Sequence, residues 1–117
     1  ELTHLRVSIT TLSANSNILV TMNVAKQGNQ AQDMYVVTQI RSSLDNYSSS
    51  LLTNVTAFYP TWIQTQGTDM VLHSAGQAAG TTINYRMYAR SNQSSFYAPD
   101  SWGQGAHSST VIQEIKG

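Results

Sequence analysis

The sequence predicts an all-β domain, built as an antiparallel sandwich or barrel. Most of its ordered segments alternate apolar and polar residues with the period of two that strands show. Seven or eight such segments are short and are separated by clusters of Gly, Ser and Asn, and no segment has the spacing of an amphipathic helix. The chain of 117 residues has the usual size of one domain, so a single domain over residues 1–117 is expected.

The first half of the chain holds three clear strands. Leu5–Thr10 alternates strictly between apolar and polar side chains, as a half-buried strand requires. In Ile18–Ala25 every second residue from the first is apolar, and the Ser- and Asn-rich residues 13–17 before it are typical of a turn. Met34–Arg41 follows a Gly-containing break and is rich in β-branched residues, which favours a strand over a helix.

The middle of the chain, residues 42–69, shows the weakest pattern. Its serine clusters at 42–43 and 48–50 predict loops. Short strands are expected near Asn54–Phe58 and near Trp62–Thr65.

The last third of the chain contains the clearest strand, Thr81–Ala89. Its alternate residues form two faces, one with Ile83, Tyr85, Met87 and Ala89 and the other with Asn84, Arg86 and Tyr88. Phe96–Tyr97 should begin a further short strand. A terminal strand is expected over Thr110–Lys116, in which every second residue from Val111 to Ile115 shares a face.

Composition argues against several classes of partner. Charged residues make up only 10% of the chain and the formal net charge is zero, which does not oppose self-association. A protein that binds nucleic acid through its phosphates concentrates Lys and Arg, whereas the basic residues here are scattered along the chain, so nucleic acid is not expected as a partner. They are Arg6, Lys26, Arg41, Arg86, Arg90 and Lys116. No apolar run approaches the roughly 20 residues of a membrane-spanning helix, so membrane insertion is not expected either.

No enzyme is expected, because the residue patterns of common active sites are missing from the sequence. A Gly-x-Ser-x-Gly segment, which would present a nucleophilic serine, does not occur. His4, His73 and His107 are isolated and lack the spacing of metal ligands, and no two aspartates pair closely. The chain has no cysteine, so thiolate chemistry is excluded. We therefore expect no catalytic residue, no metal and no cofactor.

One loop, Phe96–His107, combines the residue types that sugar binding uses. Tyr97 and Trp102 offer aromatic faces for the apolar side of a pyranose, and Asp100 and His107 offer polar groups for its hydroxyls. Loops on a rigid β-scaffold commonly carry function. These four residues are predicted to bind a ligand. The alternative is that Trp102 covers one end of the barrel or lies in a subunit interface.

The strand Thr81–Ala89 carries large apolar side chains on both faces. One face can pack inside the domain while the other contacts a neighbouring subunit. Tyr85, Met87 and Tyr88 are therefore predicted to take part in a subunit interface.

Three segments carry a further pattern. Ser16–Val24 is similar to the strand pattern S-K-I-L-V-x-x-x-V, residues 74–91 are similar to a segment that contains T-x-Y-x-x-x-x-R-S, and Ser108–Ile115 is similar to S-S-T-I-x-x-x-E-I. Together they cover about a third of the chain. In this order they resemble a family of jelly-roll domains found at the tips of phage tail fibres and in other virion surface proteins.

The resemblance implies an antiparallel jelly-roll sandwich of about eight short strands, related in fold to the tumour-necrosis-factor and complement globular-head trimers. It also implies a homotrimer on a virion surface or outside a cell, with the receptor-binding tip of a phage tail fibre as its function. The partners would be a host-surface glycan or protein, or other virion subunits. Two alternatives stay open: a capsid decoration or knob protein with a stabilising role, and a free-standing carbohydrate-binding lectin.

Overall fold

The computed structural model describes residues 2–27, 34–58, 64–91 and 108–116 of the chain. Within these residues, seven strands and one short 3-10 helix follow one another. The strands are β1 (Leu2–Thr10), β2 (Asn17–Gln27), β3 (Met34–Ser42), β4 (Leu52–Phe58), β5 (Gln64–Ser74), β6 (Thr82–Ser91) and β7 (Ser109–Ile115), and the 3-10 helix Ser43–Asp45 lies between β3 and β4. The strand predicted at Phe96–Tyr97 lies outside the described residues.

The strands form two antiparallel sheets that pack face to face. One sheet has the strand order β1-β6-β3-β4 and the other has the order β5-β2-β7. β3 and β4 are the one pair of strands that follow each other in the described chain and also lie in the same sheet. At each of the other connections, the chain passes from one sheet to the opposite sheet. The predicted all-β antiparallel sandwich is confirmed, and the arrangement is compatible with a jelly roll.

The core lies between the two sheets and is formed by alternate residues of the strands. In β2 the predicted apolar face, which runs from Ile18 to Val24, is fully buried. The opposite sheet contributes Leu5, Ile40, Ile83, Tyr85 and Met87 to the same cluster. Burying one large aliphatic or aromatic side chain contributes about 1.5–3 kcal/mol, so this alternation is a main source of stability.

Tyr85 and Met87 belong to this core and have no exposed surface. The Tyr85 hydroxyl forms a 2.8 Å hydrogen bond with Nδ1 of His73 in the opposite sheet. Burial raises the pKa of Tyr85 to about 12 and lowers the pKa of His73. Because neither Tyr85 nor Met87 is accessible, the prediction that they contact a neighbouring subunit is corrected. Tyr88 faces the other way and is partly exposed, so its role at an interface stays a prediction.

β5 is the element that the sequence predicts least well. The sequence predicts a short strand at Trp62–Thr65, whereas the structure has a strand of 11 residues from Gln64 to Ser74. Each of these residues is paired with a residue of β2. Gly67 and Asp69 occupy inward positions, so the apolar alternation that marks a strand is missing from the first half of β5. Here pairing with a neighbouring strand overrides local propensity.

Asp69 is a buried carboxylate that links the two sheets. Its Oδ2 accepts a hydrogen bond of 2.8 Å from the Thr38 hydroxyl, and its Oδ1 accepts one of 2.7 Å from Nδ2 of Asn54. Thr38 belongs to β3 and Asn54 to β4. Asp69 therefore holds β5 to both of these strands across the interior.

The carboxylate of Glu114 holds the turn between β1 and β2. It accepts hydrogen bonds from the backbone N–H groups of Leu12 at 2.7 Å and Ser13 at 3.0 Å, and from the Ser16 hydroxyl at 2.6 Å. These hydrogen bonds, above all the one from the Ser16 hydroxyl, lower the pKa of Glu114. The contact gives a structural role to the acidic residue of the family-like segment Ser108–Ile115.

Removing the Asp69 carboxylate should destabilise the fold. Asp69→Ala leaves the buried Thr38 and the partly buried Asn54 side chains without their acceptor, and we expect the free energy of unfolding to fall by about 2–4 kcal/mol. Urea denaturation followed by circular dichroism measures this change. Asp45→Ala removes a carboxylate from the exposed turn after β3 and should shift the midpoint far less. Equal midpoints for Asp69→Ala and the wild type would show that the cross-sheet contact contributes nothing.

Candidate functional site

Four arginines come together on the outer face of the four-stranded sheet. β6 alternates between buried and outward residues, so that Arg86, Tyr88 and Arg90 lie on the outer side. Arg86 is directly opposite Arg6 of β1 on one side and Arg41 of β3 on the other. We call the set Arg6, Arg41, Tyr47, Arg86, Tyr88 and Arg90 the arginine face.

Three of these arginines lie in one row across three neighbouring strands. Directly opposite residues of an antiparallel pair have Cβ atoms about 5 Å apart, and like charges in such positions destabilise the sheet. Among the described residues, the outward positions of these three strands and of β4 hold no Asp or Glu. The row Arg6–Arg86–Arg41 therefore concentrates positive charge on one face of a chain whose net charge is zero.

Two tyrosines hold two of the arginines in place. The guanidinium carbon of Arg86 lies 4.1 Å from the ring centroid of Tyr47, and that of Arg41 lies 4.7 Å from the ring centroid of Tyr88. The two rings are 6.4 Å apart and tilted by 50°. Each cation–π contact stabilises by about 0.5–1 kcal/mol when exposed. A guanidinium stacked on an aromatic ring is held in a defined orientation.

Hydrogen bonds fix the orientation of Arg41 further. Its Nε donates to Oε1 of Gln39 at 3.0 Å, its Nη2 donates to the same oxygen, and its Nη1 donates to the carbonyl oxygen of Tyr47 at 3.1 Å. A guanidinium has five N–H groups. In the part of the chain that the structure describes, these three bonds leave two N–H groups of Arg41 for an acceptor on a ligand.

Tyr47 reaches this face from a strained turn. Asn46 and Tyr47 follow the 3-10 helix and both have left-handed backbone conformations, with φ of 57° and 60°. For a bulky residue such as Tyr47 this conformation costs roughly 1–2 kcal/mol. A backbone hydrogen bond of 2.9 Å from Tyr47 to the carbonyl of Ser42 closes the turn. Backbone strain of this kind is concentrated at functional sites, which supports a role of Tyr47 in binding.

Two open cavities lie on the arginine face. The first, of about 250 Å³, is lined by Val37, Gln39, Arg41, Tyr88, Ala89 and Arg90. The second, of about 300 Å³, is lined by Arg6, Val7, Ser8, Asn84 and Arg86. Arg41, which lines the first cavity, is directly opposite Arg86, which lines the second, so both cavities lie on the same face of the four-stranded sheet. Their volumes are close to the lower end of small-molecule sites, about 300 Å³, so each suits one group of the size of a sugar ring.

The outer face of the three-stranded sheet has a different composition. Leu19, Met70, Leu72, Val111 and Ile115 occupy outward positions there, and we call these five residues the apolar face. The β5 and β7 members are 43–55% exposed. Among the described outward positions next to residues 17–23 of β2, none carries a charge. The sandwich thus presents a basic face on one side and an uncharged, partly apolar face on the other.

The sequence-predicted site residues are distributed as follows. The predicted ligand residues Tyr97, Asp100, Trp102 and His107 lie outside the described residues. Of the predicted interface residues, Tyr88 lies on the arginine face, stacked on Arg41.

The arginine face was not predicted from the sequence, in which the basic residues are scattered. They are scattered along the chain, but four of the six lie on one face of the folded domain. Scatter is therefore no reason to exclude an anionic partner. The alternation Arg86-x-Tyr88-x-Arg90 in β6 was the available signal, whereas the pairing of Arg6 with Arg86 could not be read from the sequence.

No metal site is formed by the described residues, since no three His, Asp or Glu side chains among them are placed to hold an ion. None of the helical structure in the same ranges is long and apolar enough to cross a membrane. Comparisons of the chain with models of known protein families, with curated proteins and with solved structures produce no match. Function is therefore inferred from the two sheet faces.

Repulsion within the arginine row should make stability depend on salt. Raising the NaCl concentration from about 0.01 to about 0.1 M shortens the Debye length from about 30 to about 10 Å and screens like charges. We expect the free energy of unfolding, measured by urea denaturation, to rise by about 0.5 kcal/mol. Arg86→Gln removes the central charge of the row and should abolish most of this rise in stability. Lys116→Gln removes a positive charge that lies outside the row, so the rise should remain. Wild-type stability that falls with salt would show that attraction outweighs repulsion around the row.

Proposed function

We propose that the chain is a non-catalytic, self-assembling binding domain of a virion surface and forms the receptor-binding tip of a phage tail fibre. One observation carries the proposal: four arginines and two tyrosines converge on one face of a rigid sheet, beside two cavities. A face of this kind suits a ligand from solution. The three family-like segments support the tail-fibre setting.

Assembly would use the apolar face. Exposed apolar side chains are unfavourable in water, and a patch of them without charge is typical of the centre of a protein interface. A second copy of the chain offers the same surface, and the zero net charge does not oppose its approach. A closed ring would cover the apolar face of each copy. Together with the resemblance to trimeric domains, this favours a homotrimer.

The trimer can be tested with one substitution on each sheet. The wild type should scatter light with the mass of a trimer, not the 12.8 kDa of one chain, at micromolar concentration. Leu72→Lys places a charge on the apolar face, next to Leu19 of the central strand, and should give a monomer, because a charge without a partner opposes burial. Val55→Lys is the matched control, since Val55 is 60% exposed on the outer face of the other sheet, and it should stay trimeric.

Two results would contradict this assignment. A monomeric wild type would rule out assembly in solution. A trimeric Leu72→Lys variant would show that another surface holds the copies together.

The loop with Tyr97, Asp100, Trp102 and His107 is proposed as a further contact for the ligand. Truncation of an aromatic contact costs about 1–3 kcal/mol at interface hot spots. Trp102→Ala should therefore weaken binding to host cells roughly tenfold, while the melting temperature stays nearly unchanged. Cell-binding assays and thermal denaturation measure the two effects. If the variant unfolds or loses its trimer while binding per folded molecule is intact, Trp102 is a packing residue.

A capsid decoration or knob protein is the second candidate. The apolar face favours this second candidate, because the same face could pack against a neighbouring subunit of the virion. The two candidates differ in what the isolated domain binds. A fibre tip should bind host cells, whereas a decoration protein should bind virions that lack it and leave host cells unoccupied.

A further inference from the structure

We infer that His73 and Tyr85 form an acid-sensitive latch between the two sheets, which opens when the His73 imidazole takes up a second ring proton. The latch joins the end of β5 to β6. The inference is carried by the geometry of this contact and by the burial of Tyr85. It goes beyond the proposed function and applies to a single domain.

The latch is closed when His73 is neutral. The Tyr85 hydroxyl lies 2.8 Å from Nδ1 of His73, and the two rings meet edge to face at 89° with their centroids 5.7 Å apart. Tyr85 is fully buried, and within the described residues its hydroxyl has no hydrogen-bond partner other than His73. The hydroxyl therefore donates its proton to Nδ1, which accepts it in one tautomer of the neutral ring.

Protonation of His73 removes this acceptor. Both ring nitrogens of an imidazolium carry a proton, so Nδ1 can then only donate to the Tyr85 oxygen. Burial raises the pKa of Tyr85 to about 12, so the hydroxyl keeps its own proton and becomes a buried donor without an acceptor. A buried donor of this kind is destabilising, and an open conformation in which water reaches the hydroxyl relieves it.

The groups around His73 leave desolvation as the dominant influence on its protonation. Desolvation lowers the pKa of His73, and the attraction of Asp45 in the 3-10 helix offsets this only in part. The neighbouring β2 places the uncharged Ile18 opposite His73, and Glu114 of β7 lies beyond Ile18 and is bound to the turn between β1 and β2. Asp69 of β5 is hydrogen-bonded to the four-stranded sheet, and β4 has no ionisable residue.

The direction of the pH effect follows from the lowered pKa of His73. A histidine whose pKa is lower in the folded than in the unfolded chain stabilises the fold above its ordinary value of 6.5. This stabilisation is lost as the pH falls below 6.5 and through the pKa of the folded state. The latch should thus be closed at neutral pH and open in mild acid.

Opening of the latch should affect the apolar face, because both include residues of β5. His73 faces the interior, whereas Met70 and Leu72 of the same strand face outward as members of the apolar face. Asp69 holds the middle of β5 to β3 and β4, so the movement should be confined to the end of the strand. Acid should therefore weaken the trimer. This consequence alone rests on the proposed function.

Hydrogen–deuterium exchange of the wild-type chain, measured by mass spectrometry, tests the latch. Exchange at about pH 7.5 and at about pH 5.5, corrected for the intrinsic rate at each pH, gives the fraction of time that each strand is open. We expect peptides that cover residues 72–74 to open at least roughly fivefold more often at the lower pH, because one buried donor loses its acceptor. Peptides of β3 should change less. In an NMR titration, the Cε1 proton of His73 should shift over the same pH range as the opening.

Variants assign the effect to the latch. His73→Gln keeps a side-chain oxygen that can accept from the Tyr85 hydroxyl but does not titrate in this range, so its exchange should be nearly equal at the two pH values. Tyr85→Phe removes the hydroxyl and should reduce the difference, because no donor is left unpaired. The matched control His4→Gln/His107→Gln removes the other two histidines of the chain and should keep the full difference.

Three results would overturn the inference. They are equal wild-type exchange of residues 72–74 at both pH values, a His73→Gln variant that keeps the wild-type difference, and a control that loses it. If His73→Gln does not fold, an opening that does not follow the NMR titration of His73 in the wild type overturns the inference in its place.

Light scattering at both pH values separates the latch from assembly. A chain that is a monomer at both contradicts the proposed trimer and leaves the exchange result to decide on the latch. A trimer that is unchanged while the latch opens would show that the end of β5 is not needed for assembly.

Discussion

The register of β6 between β1 and β3 fixes both the interior and the surface of the four-stranded sheet. Because side chains alternate along a strand, a shift by one residue would move Tyr85 and Met87 to solvent and bring Arg86 and Tyr88 inside. An arginine buried without a partner would be strongly destabilising. The apolar residues of β6 therefore hold the register, and the arginine row lies on the surface as a consequence of how its buried neighbours pack.

The two sheets use the same alternation but give their outer faces different chemistry. The three-stranded sheet shows an uncharged face with Met70 and Leu72 half exposed, and the four-stranded sheet shows a basic face. Contacts between copies and contacts with a ligand can therefore form on opposite sides of one domain without competing. The cross-sheet hydrogen bonds of Asp69 connect the strands of one face to those of the other.

Local patterns account for how well each strand could be predicted. β2 and β6 have an unbroken apolar alternation, so the residues that share a face were predicted correctly in both, but the interface predicted at Tyr85 and Met87 is buried in the core. β5 has Gly67 and Asp69 at inward positions, so its length follows from pairing with β2 and from the partners of Asp69 in the opposite sheet. The predicted ligand loop lies outside the described residues, so nothing in the fold bears on it. The arginine face was missed because its members are brought together from β1, β3 and β6.

By itself, the sequence determined the fold class and which residues of each clear strand share a face, such as Arg86 with Tyr88 in β6, because alternation is a property of consecutive residues. Only the tertiary structure decided that Arg6 and Arg41 flank Arg86, that Tyr47 stacks on it, and that five apolar residues of three strands form one surface. These features depend on which strands are neighbours and in what register. That choice is made by packing between residues far apart in the chain, which no local pattern records.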